Sequence, residues 1–153
     1  MQAYRIVKPA YAPSALSGEG ARLYGGRWNP PGLRCVYAAG SRALAVLEML
    51  VHLNGPSRAL PYCILSLEID DSLVAVAKAV PQGWKANPAG RASQQIGHEW
   101  LKANRSAALL VPSVIIPQEQ NLLLNPLAPG FDTVRVTEEQ ELRLDQRLSS
   151  FPQ

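Results

Sequence analysis

Apolar residues recur along this chain in two rhythms, one for strands and one for helices. Strict alternation from Tyr62 to Ile69 puts Cys63, Leu65, Leu67 and Ile69 on one face and predicts a half-buried strand. Short apolar runs bounded by turn-forming residues predict further strands: Tyr4 to Val7, stopped by Lys8 and Pro9; Cys35 to Ala39; and Leu73 to Ala77. Three more follow: ALLVPSVIIP from Ala108, NLLLNP from Asn121, and FDTVRV from Phe131. Pro112 interrupts the first of these, which places it at an edge or a bulge. The segment Thr137 to Leu148 fits helix and strand equally.

The helical rhythm occurs twice. Ser41 caps a helix expected to run to about Leu53, with Asn-Gly-Pro at 54–56 ending it. A second helix starts at Ser93, turns Ile96, Trp100 and Leu101 inward, and ends near Asn104. A loop rich in Gly and Pro joins the first two strands. Many strands with few helices indicate an α+β fold around a mostly antiparallel sheet.

Length and composition narrow the class. The 153 residues are expected to form a single domain, 1–153, able to bury a core without disulfides or structural metal. The N-terminal MQAYRIVKPAYAP lacks the apolar run of a signal peptide and no longer apolar run reaches membrane-spanning length, so a cytoplasmic location is expected. Cys35 and Cys63 fall in apolar strands and read as core residues. The formal charge of +3 favours anionic partners. Basic residues are scattered and aromatics make up only 7%, so no stripe for direct nucleic-acid binding stands out.

Against this background two side chains are out of place. In the first helix residues 43–47, 49–51 and 53 are all Ala, Leu, Val or Met, the pattern of a helix packed on most sides, yet Glu48 and His52 sit in it one turn apart. A carboxylate in such a place requires a partner, because an unpaired buried charge costs several kcal/mol. A structural ion pair with an arginine is one solution and a substrate is another. Metal binding has little support: His98 is the other histidine, and neither Cys-x-x-Cys nor His-Glu-x-x-His spacing occurs. Ser113 lacks the Gly-x-Ser-x-Gly elbow of a hydrolase nucleophile. The glycines of GEGARLYGGRWNPPG, with Arg22 and Arg27, suit an anion, although the spacing is neither that of a Rossmann turn nor that of a P-loop.

Taken in order, YRI at Tyr4, GARLYGGRWNPPG at Gly20, VYAA at Val36, ALAVLEMLVH at Ala43, IGHEWL at Ile96 and VPSVIIPQEQNLLLNP at Val111 resemble the RES domain family. The arginine, glutamate and serine that name the family match Arg27, Glu48 and Ser113. The resemblance implies an ADP-ribosyltransferase-like fold, NAD as substrate without a metal, and a role as the growth-arresting toxin of a pair whose antitoxin carries an Xre-type helix-turn-helix domain. It further implies that Arg5 and Arg27 hold the NAD phosphates, that Tyr37 packs at the nicotinamide end, and that Glu48 is the catalytic carboxylate. His98 and Ala128 depart from the family pattern.

Chemistry agrees with these assignments. Breaking the nicotinamide–ribose bond develops oxocarbenium character that a carboxylate stabilises, and a planar guanidinium suits a pyrophosphate better than an ammonium does. Ser113, at the proline-distorted strand, is placed to orient the carboxylate or the ribose. The acceptor of ADP-ribose stays open between water, phosphate and a protein side chain. NAD degradation by a glycohydrolase or phosphorylase is favoured over mono-ADP-ribosylation of a protein, because no segment reads as a long docking loop. A small basic nucleic-acid-binding protein is a more remote alternative.

Overall fold

The two apolar runs that follow residue 107 lie side by side, with Leu109 opposite Leu123 and Leu110 opposite Leu122, and they anchor the sheet. A computed structural model describes residues 1–53 and 55–149. In chain order the strands are β1 (Gln2–Val7), β2 (Val36–Ala39), β3 (Tyr62–Glu68), β4 (Val74–Val76), β5 (Ala108–Pro112), β6 (Gln120–Leu124) and β7 (Arg135–Leu142). They form one sheet of spatial order β4-β5-β6-β2-β1-β3-β7. Only β4 and β5 run parallel; the expected α+β class with a mostly antiparallel sheet is what the chain adopts. The helices are α1 (Glu19–Tyr24), α2 (Arg42–Leu50), α3 (Arg91–Ala103) and the short α4 (Gln146–Ser149). No helix among the described residues is long and apolar enough to cross a membrane.

Each face of the sheet is buried under different cover. On one face Ala3, Val36, Ala38, Leu65, Leu67, Leu122 and Leu124 pack with Ala15 and Val134. On the other, Leu109, Val111 and Leu123 pack with Trp28, Cys35 and Leu101 of α3, while Ala39 meets Leu44 and Ala45 of α2. Burying a Leu or Val side chain is worth about 1.5–3 kcal/mol, so these rows fix which face each strand presents. Trp28 and Trp84 stack at 5.8 Å, holding the segment before α3 against this layer.

Several expectations are corrected by long-range packing. β3 is buried on both faces through Leu67 rather than half-buried. It lies between β1 and β7, and its second face is covered where Ser66 meets Arg42 and where the Tyr62 hydroxyl donates to the Ser57 carbonyl. Helix α2 stops at Leu50, three residues early, and is not packed on most sides. Only Leu44 and Ala45 are fully buried, and Val51 is 61% exposed. Beyond Leu50 the N–H groups of His52 and Leu53 reach back three residues, to Met49 and Leu50. This stretch of the chain is wound more tightly than an α-helix, and His52 is exposed to solvent. Asn54, in the expected stop signal, lies outside the described residues, as do residues 150–153 of the expected domain.

Smaller differences have equally local causes. Helix α3 starts at Arg91 with Gly90 as its N-cap, because the Ser93 hydroxyl donates to the Gly90 carbonyl from within the first turn. It ends as expected at Asn104, in the left-handed conformation. FDTVRV is not one strand: a turn opening at Gly130 (φ 80°) winds residues 131–133, and β7 runs instead from Arg135 into the ambiguous segment. The Gly- and Pro-rich loop contains α1. Pro112 ends β5 beyond the stretch that β4 covers, Ala108 to Leu110, so its missing N–H removes no ladder bond on that side. Arg42 opens α2 where the helix dipole disfavours a cation. It is held there by Glu138 on β7 at 2.6 Å and by the Tyr4 ring at 5.1 Å.

Gly97 is the tightest approach between α3 and the layer beneath it, since a Cβ there would overlap the Trp28 carbonyl oxygen. Gly97→Ala is expected to destabilise the chain by about 1–3 kcal/mol through overpacking. Gly20→Ala, in α1 with nothing within 4 Å of the added carbon, is expected to stabilise it by about 0.5–1 kcal/mol. Urea unfolding of the two variants measures both signs.

Candidate active site

Glu48 receives its partners from the sheet. Its helix α2 lies on β1 and β2 through Leu44 and Ala45, and the Ser41 hydroxyl does two things at the helix start. It accepts from the Leu44 N–H at 3.1 Å and donates to the Glu119 carboxylate at 3.2 Å, which joins the helix to the β5–β6 connection. That connection carries Ser113, and β6 carries Asn121. The Ser113 hydroxyl donates to Glu48 Oε1 at 2.8 Å, and Asn121 Nδ2 donates to the same oxygen at 2.5 Å.

Ser113 is fully buried and its bonding leaves it no choice of direction. Its oxygen accepts from the N–H groups of Ile115 and Ile116, each at 3.1 Å, so both lone pairs are taken and the one proton points to Glu48. Among the described residues, Oε2 of Glu48 has no side-chain donor and no cation lies within ion-pair distance of the carboxylate. The ion pair weighed from sequence is therefore not the solution found.

Tyr37 sits at the centre of a second cluster. Its hydroxyl donates to Asn29 Oδ1 at 2.6 Å and accepts from the Trp28 N–H at 3.0 Å, while its ring end lies so close to Gly26 that a Cβ there would sit 2.5 Å from the hydroxyl oxygen. Asn29, fully buried, also donates to the carbonyls of Ala21 and Pro30. The Gly-Gly-Arg-Trp-Asn block is thus a loop wrapped around one tyrosine hydroxyl. Burial raises the Tyr37 pKa far above its ordinary value, so the group is a neutral hydrogen-bonding hydroxyl.

The two arginines occupy different places. β1 and β2 meet at one register pair, Tyr4 with Ala39, whereas β1 and β3 pair along six residues. Where β1 and β2 part, half-buried Arg5 donates through Nη1 to the Tyr37 carbonyl at 2.6 Å, and its buried Nε has no partner. Desolvation lowers its pKa below the ordinary guanidinium value, yet the group remains a cation. Arg27 directs Nη1 at the carbonyls of Trp84 and Ala86, both at 3.0 Å. Arg22, a third candidate for an anion, is engaged by Glu19 at 2.9 Å.

The structure therefore joins Glu48 to Ser113 directly and Arg5 to Tyr37 through a main-chain carbonyl. No hydrogen bond links Arg27 to either group. Asn121 is the residue that sequence reasoning passed over. The available signal was an amide at the head of the apolar run Leu122–Leu124, which gave no hint of its partner 73 positions away. Among the described residues no group of three or more His, Cys, Asp or Glu is placed to hold a metal ion.

A carboxylate held by neutral donors and a half-buried arginine where β1 and β2 part are features suited to a substrate carrying both an anion and a developing positive charge. The chain belongs to the RES domain family, which matches residues 2–145. It is 43% identical over 152 residues to the Prs ADP-ribosylating toxin of Sphingobium sp. (strain YBL2), covering 95% of this chain and 94% of that protein. It is 42% identical over 135 residues to Toxin Res of Yersinia enterocolitica serotype O:8, covering 87% and 89%. A chain in the crystal structure of the M. tuberculosis MbcT–MbcA toxin–antitoxin complex superposes with a TM-score of 0.73 over 97% of this chain and 88% of that one. At 22% identity this last likeness concerns the fold alone.

Cys35 lies next to this region and is buried. Burial pushes its thiol up to about 12, with the Arg5 charge only partly opposing. The folded chain retains a proton that an unfolded thiol, from a pKa of 9.0, releases. This contribution to stability is full below about pH 9 and is lost as pH rises towards about 12. Iodoacetamide at pH 8 is expected to leave Cys35 unmodified in the native protein and to label it in urea, as read by peptide mass mapping.

Proposed function

We propose that this chain is an NAD-consuming toxin that cleaves the bond between nicotinamide and ribose, arrests growth by NAD depletion, and is neutralised by an antitoxin with an Xre-type helix-turn-helix domain. The observation that carries the reading is the Glu48 carboxylate, fixed through one oxygen by two neutral donors, with the other oxygen unclaimed and no cation beside it. In this reading Oε2 faces the nicotinamide ribose. As the bond from the ribose carbon to the nicotinamide nitrogen breaks, the electron pair leaves with nicotinamide and positive charge grows on the sugar, where the carboxylate stabilises it. Ser113 orients the carboxylate. Arg5, with donors to spare in the gap between β1 and β2, takes the pyrophosphate together with Arg27, and Tyr37 packs at the nicotinamide end.

Water or inorganic phosphate then attacks the ribose carbon, giving ADP-ribose or its 1-phosphate. A second reading has a protein side chain as the acceptor. It is favoured by the 43% identity to a relative named as ADP-ribosylating. Both readings share the bond-breaking step and the same residues. Toxicity and an antitoxin come from the relatives, three of them called Toxin Res, and from the partnered structural neighbour.

Incubating purified protein with adenylate-labelled NAD separates the readings. Nicotinamide release with the label recovered as free ADP-ribose or its phosphate supports NAD degradation; label transferred to a protein of an added lysate supports the second reading. Glu48→Gln is expected to lower nicotinamide release by about 100-fold or more while the fold persists, as judged by circular dichroism. Release at the parent rate would remove Glu48 from the chemistry.

The partner makes a separate prediction. In this reading Arg5 and Arg27 offer an anion site that an acidic or carboxylate-ending segment of an antitoxin would fill through charge-assisted hydrogen bonds. Co-expression with the product of the adjacent gene is expected to restore growth, and titration of that protein to suppress NAD turnover in competition with NAD. A companion that binds without lowering turnover would refute pocket blocking.

A further inference from the structure

We infer that Asn121 is a second positioning residue for Glu48, acting through its Nδ2 donor to choose which carboxylate oxygen faces the substrate; this rests on the reading of Glu48 as the reacting carboxylate. Nδ2 lies 2.5 Å from Oε1, the oxygen that Ser113 already engages at 2.8 Å. Two donors on one oxygen hold the carboxylate plane from two directions and leave Oε2 unclaimed. A single donor would let the group turn about its last bond and exchange the two oxygens.

The placement of Asn121 argues for this role over a packing role. It sits on β6 opposite Ala39 of β2, next to Leu122, Leu123 and Leu124, all of which are fully buried. An apolar residue at that position would extend the buried row without leaving a polar atom behind. The amide instead leaves Oδ1 buried with no partner, a loss of stability that a purely structural position would not retain. Turning the amide round would not relieve this, since it would set oxygen against the Glu48 carboxylate. The residue is therefore held in its orientation by the carboxylate it serves.

The anchoring is also rigid. Gly40, which follows β2, donates its N–H to the Gln120 carbonyl at 2.9 Å, and Ser113 donates its own N–H to the Glu119 carbonyl at 2.9 Å. Glu119 in turn receives the Ser41 hydroxyl at the start of α2. Asn121 and Ser113 thus stand on one hydrogen-bonded corner that also fixes the helix bearing Glu48.

The test compares Asn121→Ala with the near-isosteric Asn121→Asp. If the N–H donor matters, Asp is the worse replacement, because it sets a second carboxylate against Glu48. The kcat for NAD is then expected to fall about 10-fold in Asn121→Ala and further in Asn121→Asp, with KM within about twofold of the parent in both. A kcat for Asn121→Ala equal to that of the parent would show that the donor is not needed and would overturn the proposal. Growth arrest on induction, read in parallel, needs no assumption about the substrate. If the purified parent consumes no NAD but arrest is lost in the order Asp before Ala, the NAD reading fails while the positioning role stands. A crystal structure of Asn121→Ala gives a readout independent of any activity. A Glu48 carboxylate turned away from its parent position supports the role, and one that keeps its place and its Ser113 bond refutes it.

Discussion

The carboxylate of Glu48 is anchored by residues of β6 and of the β5–β6 connection, beside the strand on which its helix lies, and much of the local architecture follows from that constraint. Neutral donors on Ser113 and Asn121 reach it only if α2 lies across β1 and β2 at one height and one rotation. The Ser41 cap sets the helix start, and its second hydrogen bond, to Glu119, ties that start to the same connection that supplies Ser113. Neutral donors also matter electrically. They satisfy the oxygen they touch without cancelling the charge, as an arginine would, so the carboxylate remains an electrostatic resource for a cation that forms only during a reaction.

The second organising feature is the parting of β1 from β2. A sheet ladder normally satisfies the backbone groups of both strands, and here one register pair is all that joins them. The Arg5 guanidinium takes the Tyr37 carbonyl in the gap, and the Tyr37 hydroxyl on the other side is enclosed by Trp28 and Asn29. Charge is thereby brought into a half-buried position while several of its donors stay free. That combination suits an anionic ligand better than it suits stability, since desolvating a guanidinium is unfavourable until a partner arrives.

Surface ion pairs contribute little by comparison. Arg42 with Glu138 and Arg34 with Glu19 join partly exposed groups, each worth about 0–1 kcal/mol, and their effect is on position more than on stability. Arg42 in particular holds the start of α2 over β1, β3 and β7 against the helix dipole.

What could be read without the structure was whatever a few neighbouring residues encode. Alternation identified β3, the apolar runs identified β2, β5 and β6, Ser41 and Asn104 marked helix ends, and an acid among Ala, Leu, Val and Met marked Glu48 as needing a partner. The ordered motifs sufficed to identify the family, and through it the fold. The tertiary structure decided the rest. It buried both faces of β3 between β1 and β7, tightened the end of α2 and left His52 exposed, engaged Arg22 with Glu19, and sent Arg27 to the carbonyls of Trp84 and Ala86. It also supplied Glu48 with partners 65 and 73 residues distant. Periodicity and capping act within a turn or two of chain, so they are written locally. Which donor meets which acceptor across a sheet depends on strand order and register, and those are set by the burial of every row at once.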